Sequence, residues 1–216
     1  MDGSTPSPVE ASDVITDVSE DHLEALQEIM NVAIGRSSSS LATLLDVFMV
    51  MTVPNIRLVP AKDLHALLLT DEEEHFLVEQ VFHGDFSGQG LTVFPRSGLN
   101  NMLELILPPD EVESLGKEQA EREVLLEIGN LVMSATAGTC AELLKGNLTF
   151  SAPHILPITS LRDALAERKD QMALVMETNI ETENEQVAAV VALVQDAAAS
   201  KWLLGALDAF LDELFG

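Results

Sequence analysis

The chain has 216 residues, 47% of them hydrophobic and 4% aromatic, and a formal net charge of -25. That charge argues against nucleic acid, where affinity comes from Lys and Arg neutralising phosphates, and against an anionic membrane surface. It also argues against a basic cleft for small phosphorylated metabolites, so a phosphoryl group handled here arrives already neutralised by a partner's metal or lysine. A life at high salt also produces such acidity, and composition leaves both readings open. Leu, Val, Ile, Met and Ala must fill the core, given so few aromatic rings. Cys140 is the only cysteine; it can form no internal disulfide, and in a helical apolar run it reads as a small buried residue. No secretory signal is visible and no apolar run reads as a membrane span, so the expected location is the cytoplasm.

Residues 1–18 are rich in Ser, Pro, Asp and Thr without periodicity, and read as a disordered tail. The remainder, 19–216, reads as one domain built from two repeats, about 19–109 and 110–216. Ser19 is placed to cap a helix whose apolar series runs Leu23, Leu26, Ile29, Met30, Ala33, Ile34, Leu41, Leu44 and Leu45. Glu24, Glu28, Asn31 and Gly35 fall on another side of it. The apolar, β-branched stretches from Val47 to Val53 and from Ile56 to Val59 predict a strand broken or bent at Pro54. A short helix follows at about 61–68. Phe76 to Phe82 and Leu91 to Phe94 predict two antiparallel strands, with Gly84, Gly88 and Gly90 assigned to the turn between them. An amphipathic helix over 97–107 is closed by Pro108 and Pro109.

The same order then returns. A long helix is expected over about 117–145, then short extended pieces at Leu148 to Ala152 and Ile155 to Ile158, separated by Pro153. A short helix at 160–168 precedes strands at about 172–180 and 186–195, which flank an acidic turn at 181–185. A final helix runs over 197–214, with Trp202, Leu203, Ala206, Leu207, Phe210, Leu211 and Leu214 in its apolar stripe. Three strands per half predict an α+β fold: an internally duplicated, six-stranded, mainly antiparallel sheet packed with long helices about a pseudo-two-fold axis.

The repeat is visible residue by residue. Glu24, Glu28, Asn31 and Pro54 recur as Glu123, Glu127, Asn130 and Pro153, each displaced by 99 residues, and ten of the 33 positions from 24 to 56 match 123 to 155 without a gap. A carboxylate on a helix face is ordinarily just solvated. Asparagine suits mid-helix less, costing ~0.5 kcal/mol against alanine, and the misfit occurs twice at matching positions. Glu28 and Asn31 lie within ~60° of each other and ~4.5 Å apart along the axis. An amide can accept a hydrogen bond from water and fix where its lone pair points. That suffices where the electrophile is activated elsewhere, and phosphoryl transfer fits, because its loose transition state gains mainly from positioning and charge neutralisation. The glutamate one turn away is free to hold a cation, such as a partner's lysine.

With Glu28-Ile29-Met30-Asn31 and Val53-Pro54-Asn55-Ile56, with Glu127-Ile128-Gly129-Asn130 and Pro153, and with Gly84 to Gly90 followed by Leu91 to Pro95, the chain resembles the CheC/CheX/FliY family of chemotaxis response-regulator phosphatases. The resemblance covers about residues 20–215, and two intact motifs make it greatest to the CheC branch. It implies hydrolysis of the aspartyl phosphate of a CheY-like regulator. Asn31 and Asn130 would each orient the attacking water, and Glu28 and Glu127 would each pair with the regulator's lysine. The chain would need no cofactor of its own, the Mg²⁺ belonging to the docked regulator. The family pattern usually has Asp or Ser at the places of Glu24 and Glu123, and glycine where Met30 stands; Gly129 keeps it. The rival expectation is a non-catalytic adaptor that binds a response regulator or CheD, or a flagellar-switch component. Pro54 and Pro153 read as structural, Ser37 to Ser40 as close helix packing, Gly84 to Gly90 as a hairpin rather than a phosphate loop, and the five histidines as showing no ligand spacing.

Overall fold

The computed structural model describes residues 18–45, 48–68, 73–161, 165, 168, 171–182 and 186–215. Apart from Val18, the expected tail lies outside them, as does most of the expected 160–168 helix and the tip of the acidic turn. Helix α1 spans Glu20–Leu45. Its start is fixed by a reciprocal cap: Ser19 Oγ accepts from the His22 backbone N–H at 3.2 Å, and His22 Nδ1 accepts from the Ser19 N–H at 3.3 Å. This is a capping box with histidine in the usual place of glutamate. Strand β1 follows at Met49–Pro60, then helix α2 at Leu64–Leu68. Strands β2, His75–Gly84, and β3, Gly88–Pro95, form a hairpin. Gly88 and Gly90 therefore belong to β3, not to the turn.

Helix α3 is Arg96–Ile106. Helix α4, Pro109–Leu115, was not anticipated; Pro109 opens it, since proline suits the first turn of a helix. Helix α5, Lys117–Met133, passes through a π-helical turn at Ser134–Gly138 into helix α6, Thr139–Leu143. Thr136 Oγ1 donates to the Val132 carbonyl at 2.7 Å within that turn. The helix ends where Gly146 N–H reaches the Ala141 carbonyl and Lys145 N–H reaches Glu142, with Lys145 at φ 61°. The run Lys117–Leu143 is long and apolar enough to cross a membrane, contrary to the sequence expectation, but 61% of its apolar window is buried inside the fold. The second half closes with strands β4, Leu148–Phe150, β5, His154–Leu156, β6, Met172–Thr182, and β7, Gln186–Gln195, and helix α7, Ala197–Phe215.

All strand pairs are antiparallel, in the order β1-β6-β7-β3-β2-β4, with β5 also pairing β2. Among the described residues the sheet has seven strands rather than the expected six, because one edge strand is in two pieces, β4 and β5. Exchanging the halves leaves the order unchanged: β1 stands where β4 and β5 stand, β2 where β6 does, and β3 where β7 does. Each half's first strand lies on the hairpin of the other half. Alternation along the strands divides the core between two faces. Val78, Phe82, Leu174, Met176, Val191 and Leu193 face the layer of α1, α3, α5 and α7. Leu77, Ala173, Val175, Ala192 and Val194 face α2 and the segment of Leu161 and Leu165. Cys140 is buried, as its apolar run suggests, and burial pushes its thiol up from 9.0 to about 12.

Candidate functional site

The two long helices lie apolar side down. Leu26, Ile29, Met30 and Ala33 of α1 are buried, as are Val124, Leu125 and Ile128 of α5. Glu28, Asn31 and Glu127 are left exposed, and Asn130 is half-buried. Glu28 and Glu127 make no hydrogen bond or ion pair to any other described residue. The structure thus brings each Glu/Asn pair to one helix face, but the two faces differ.

The second site is a groove of about 620 Å³. Glu123, Glu127 and Asn130 line it, with Ile106 and Leu107 at the end of α3 and with Phe150 to Pro153. Glu127, Asn130 and the distant Pro153 therefore meet at one place. Asn130 Oδ1 accepts a hydrogen bond from Gln80 Nε2 at 3.0 Å, and the same Gln80 nitrogen donates to the Ser151 carbonyl at 3.1 Å. Gln80 is 1% exposed, and its own Oε1 is buried without a partner among the described residues. The close approach of α5 to β2 depends on Gly129: a Cβ there would stand 2.7 Å from Val78 Cγ1.

At the first site Met30 occupies the place of that glycine and is buried in the core. No strand glutamine reaches Asn31 among the described contacts. Instead Gln27, one turn back on α1, donates to Asn31 Oδ1 over a long 3.5 Å, and the same nitrogen donates to the Val53 carbonyl. The α1 and β1 side also exposes apolar groups, Val32 at 38%, Phe48 at 63% and Val50 at 38%.

The prolines mark ladder breaks. The register of β1 against β6 shifts between Thr52 and Asn55, around Val53 and Pro54. The break at Ser151 to Pro153 separates β4 from β5. Ser151 patches its gap: Val81 N–H donates to Ser151 Oγ at 3.0 Å.

Sequence reasoning missed both glutamines. Gln27 stands four residues before Asn31, a spacing at which side chains meet. Gln80 falls in the row of Val78 and Phe82, the helix-facing side of β2; a lone amide in an apolar row was a legible signal. His22, which shows no ligand spacing in the sequence, is buried and joined through Nε2 to Asp208 Oδ1 of α7 at 2.8 Å. Among the described residues no group of three or more His, Cys, Asp or Glu is placed to hold a metal.

Fold and site together define an α+β protein with a curled antiparallel sheet, carrying twin long helices that each present a Glu/Asn pair. No protein-family model matches the chain. It is 26% identical over 144 residues to the CheY-P phosphatase CheC of Bacillus subtilis, covering 66% of this chain and 69% of CheC. It is 24% identical over 184 residues to the flagellar motor switch phosphatase FliY of Bacillus subtilis, covering 82% of this chain but 47% of FliY, so it spans about half that relative. The crystal structure of Thermotoga maritima FliY superposes with a TM-score of 0.66 at 18% identity, covering 90% of this chain and 99% of that one; this likeness concerns the fold. These likenesses agree with the resemblance to the CheC-like family read from the sequence.

Proposed function

We propose that this chain is a phosphatase acting on the aspartyl phosphate of a CheY-like response regulator. The observation that carries the reading is the Asn130 amide, held by a buried glutamine at the rim of a groove with the unpaired Glu127 one turn away. The names of the two Bacillus relatives support it from outside the structure. The regulator supplies the electrophile and the Mg²⁺ that neutralises its phosphoryl oxygens. Asn130 and Asn31 each accept a hydrogen bond from a water and aim its free lone pair at phosphorus. A neutral amide does this without crowding a second negative charge against the phosphoryl oxygens. Glu127 and Glu28 each pair with the regulator's active-site lysine, a charge-assisted contact that docks and aligns the partner.

The test is the rate of phosphate loss from a phosphorylated CheY-like regulator. The double substitution Asn31→Ala with Asn130→Ala is expected to cost about 10²-fold in assisted hydrolysis, the scale for one lost positioning group, while binding survives. Tight binding by the native chain with no change in decay would instead make it an adaptor for a regulator or for CheD.

A further inference from the structure

The two asparagines share a device that the motif residues alone do not reveal. A backbone carbonyl can only accept hydrogen bonds, so whichever end of a glutamine faces it must be the NH₂ end. The Ser151 carbonyl therefore fixes the orientation of Gln80. The same NH₂ meets Asn130, so Asn130 must present Oδ1 to it, leaving Nδ2 and one Oδ1 lone pair toward the groove. At the first site the Val53 carbonyl fixes Gln27, and Gln27 in turn fixes Asn31. In both cases the carbonyl lies at the ladder break beside a motif proline, at Val53 before Pro54 and at Ser151 two residues before Pro153.

We infer that Gln80 and Gln27 are positioning residues for Asn130 and Asn31, and that the strand break at each proline supplies the carbonyl that sets the polarity of its asparagine. The relay runs from carbonyl to glutamine to asparagine. It leaves each asparagine with an acceptor for the water and a donor for a phosphoryl oxygen, in one order and not the reverse. The inference rests on the phosphatase reading above and names what prepares its site. The glutamine comes from β2 at one site and from the helix itself at the other, so the device is common while the residue supplying it is not. Gln80 is the better held, being buried and bonded at 3.0 Å, whereas Gln27 reaches over 3.5 Å.

The experiment uses the full chain in two single-site backgrounds, Asn31→Ala and Asn130→Ala, with phosphorylated regulator as substrate. Methionine matches glutamine in length and removes the donor. Gln80→Met is expected to lower kcat about 10-fold in the Asn31→Ala chain with KM little moved, and Gln27→Met to lower kcat several-fold in the Asn130→Ala chain. The loss should follow each glutamine's own asparagine. Equal losses in both backgrounds from either glutamine, or full kcat in folded Gln80→Met, would overturn the inference. Gln27 is only half-buried, so its variant keeps the comparison open if Gln80→Met fails to fold. A readout independent of turnover is the side-chain NH₂ signal of Asn130 by NMR. It should be rigid in the native chain and mobile in Gln80→Met; equal rigidity in the two refutes the relay. If the native chain and both backgrounds leave regulator decay unaccelerated, the phosphatase reading falls, and the NMR comparison alone then decides whether the relay exists.

Discussion

Gly129 lies against Val78 so closely that a Cβ at 129 would sit 2.7 Å from Val78 Cγ1 and 3.0 Å from its Cβ. This contact sets α5 down on β2 and brings Asn130 within reach of Gln80. Gly129→Ala must push the helix from the strand or displace a β-branched side chain that has little freedom to yield. The expected cost is about 1–3 kcal/mol, from overpacking, read by urea denaturation. Turnover at the second site should fall as well.

Gly35 offers the opposite case on α1. Among the described residues a Cβ there meets nothing within 4 Å, and Gly35 is exposed on the helix. Gly35→Ala is expected to raise stability by about 0.5–1 kcal/mol, because alanine loses less backbone freedom in a helix. The same denaturation experiment, run beside Gly129→Ala, separates a glycine held by contact from one that is not.

His22 links the start of α1 to α7. Its Nδ1 accepts from Ser19, so Nε2 carries the proton given to Asp208. His22→Ala removes a cap partner and opens a space in a buried position, and should cost about 1–3 kcal/mol in urea unfolding. Asp208→Ala should cost less than about 1 kcal/mol, since its carboxylate is 67% exposed.

The Cys140 thiol is held at about 12 by burial, against 9.0 when free. Native protein should resist iodoacetamide near pH 8, and labelling should follow global unfolding. An acid whose folded pKa is raised binds more protons folded than unfolded between those two values. Stability should therefore decline as pH rises from about 9 toward 12, and Cys140→Ala should lessen that decline. Equilibrium unfolding across that range checks the sign.

Glu127 and Glu28 make no ion pair within the described chain, which leaves both carboxylates for a partner. Glu127→Gln in the Asn31→Ala background should raise KM for the phosphorylated regulator several-fold and weaken its salt dependence, with a smaller effect on kcat. Kinetics at two ionic strengths decide it.

Much of this was legible in the chain. Apolar spacing located α1 and α5, and the acidic turn between two extended runs placed β6 and β7 as strands. Ser19 announced its cap. Helix α4 was missed because Pro108 and Pro109 read as a terminator, although the second proline also begins a helix. The Glu/Asn faces were visible, and so was Met30 standing where the other copy has Gly129, yet the full inequality was not. That inequality turns on Met30 against Gly129 and on Gln80, a residue 50 positions away in sequence from the asparagine it holds. Such a partner is set by tertiary register, which local periodicity does not encode.

The crossing of first strands has a mechanical meaning. Since β1 is zipped to β6, and β4 with β5 to β2, pulling residues 19–109 from 110–216 would tear three seams at once, the third being β3 against β7. Either portion alone would expose raw hydrogen-bonding rims. It should seek a twin of itself to close them, while the intact chain melts in a single step.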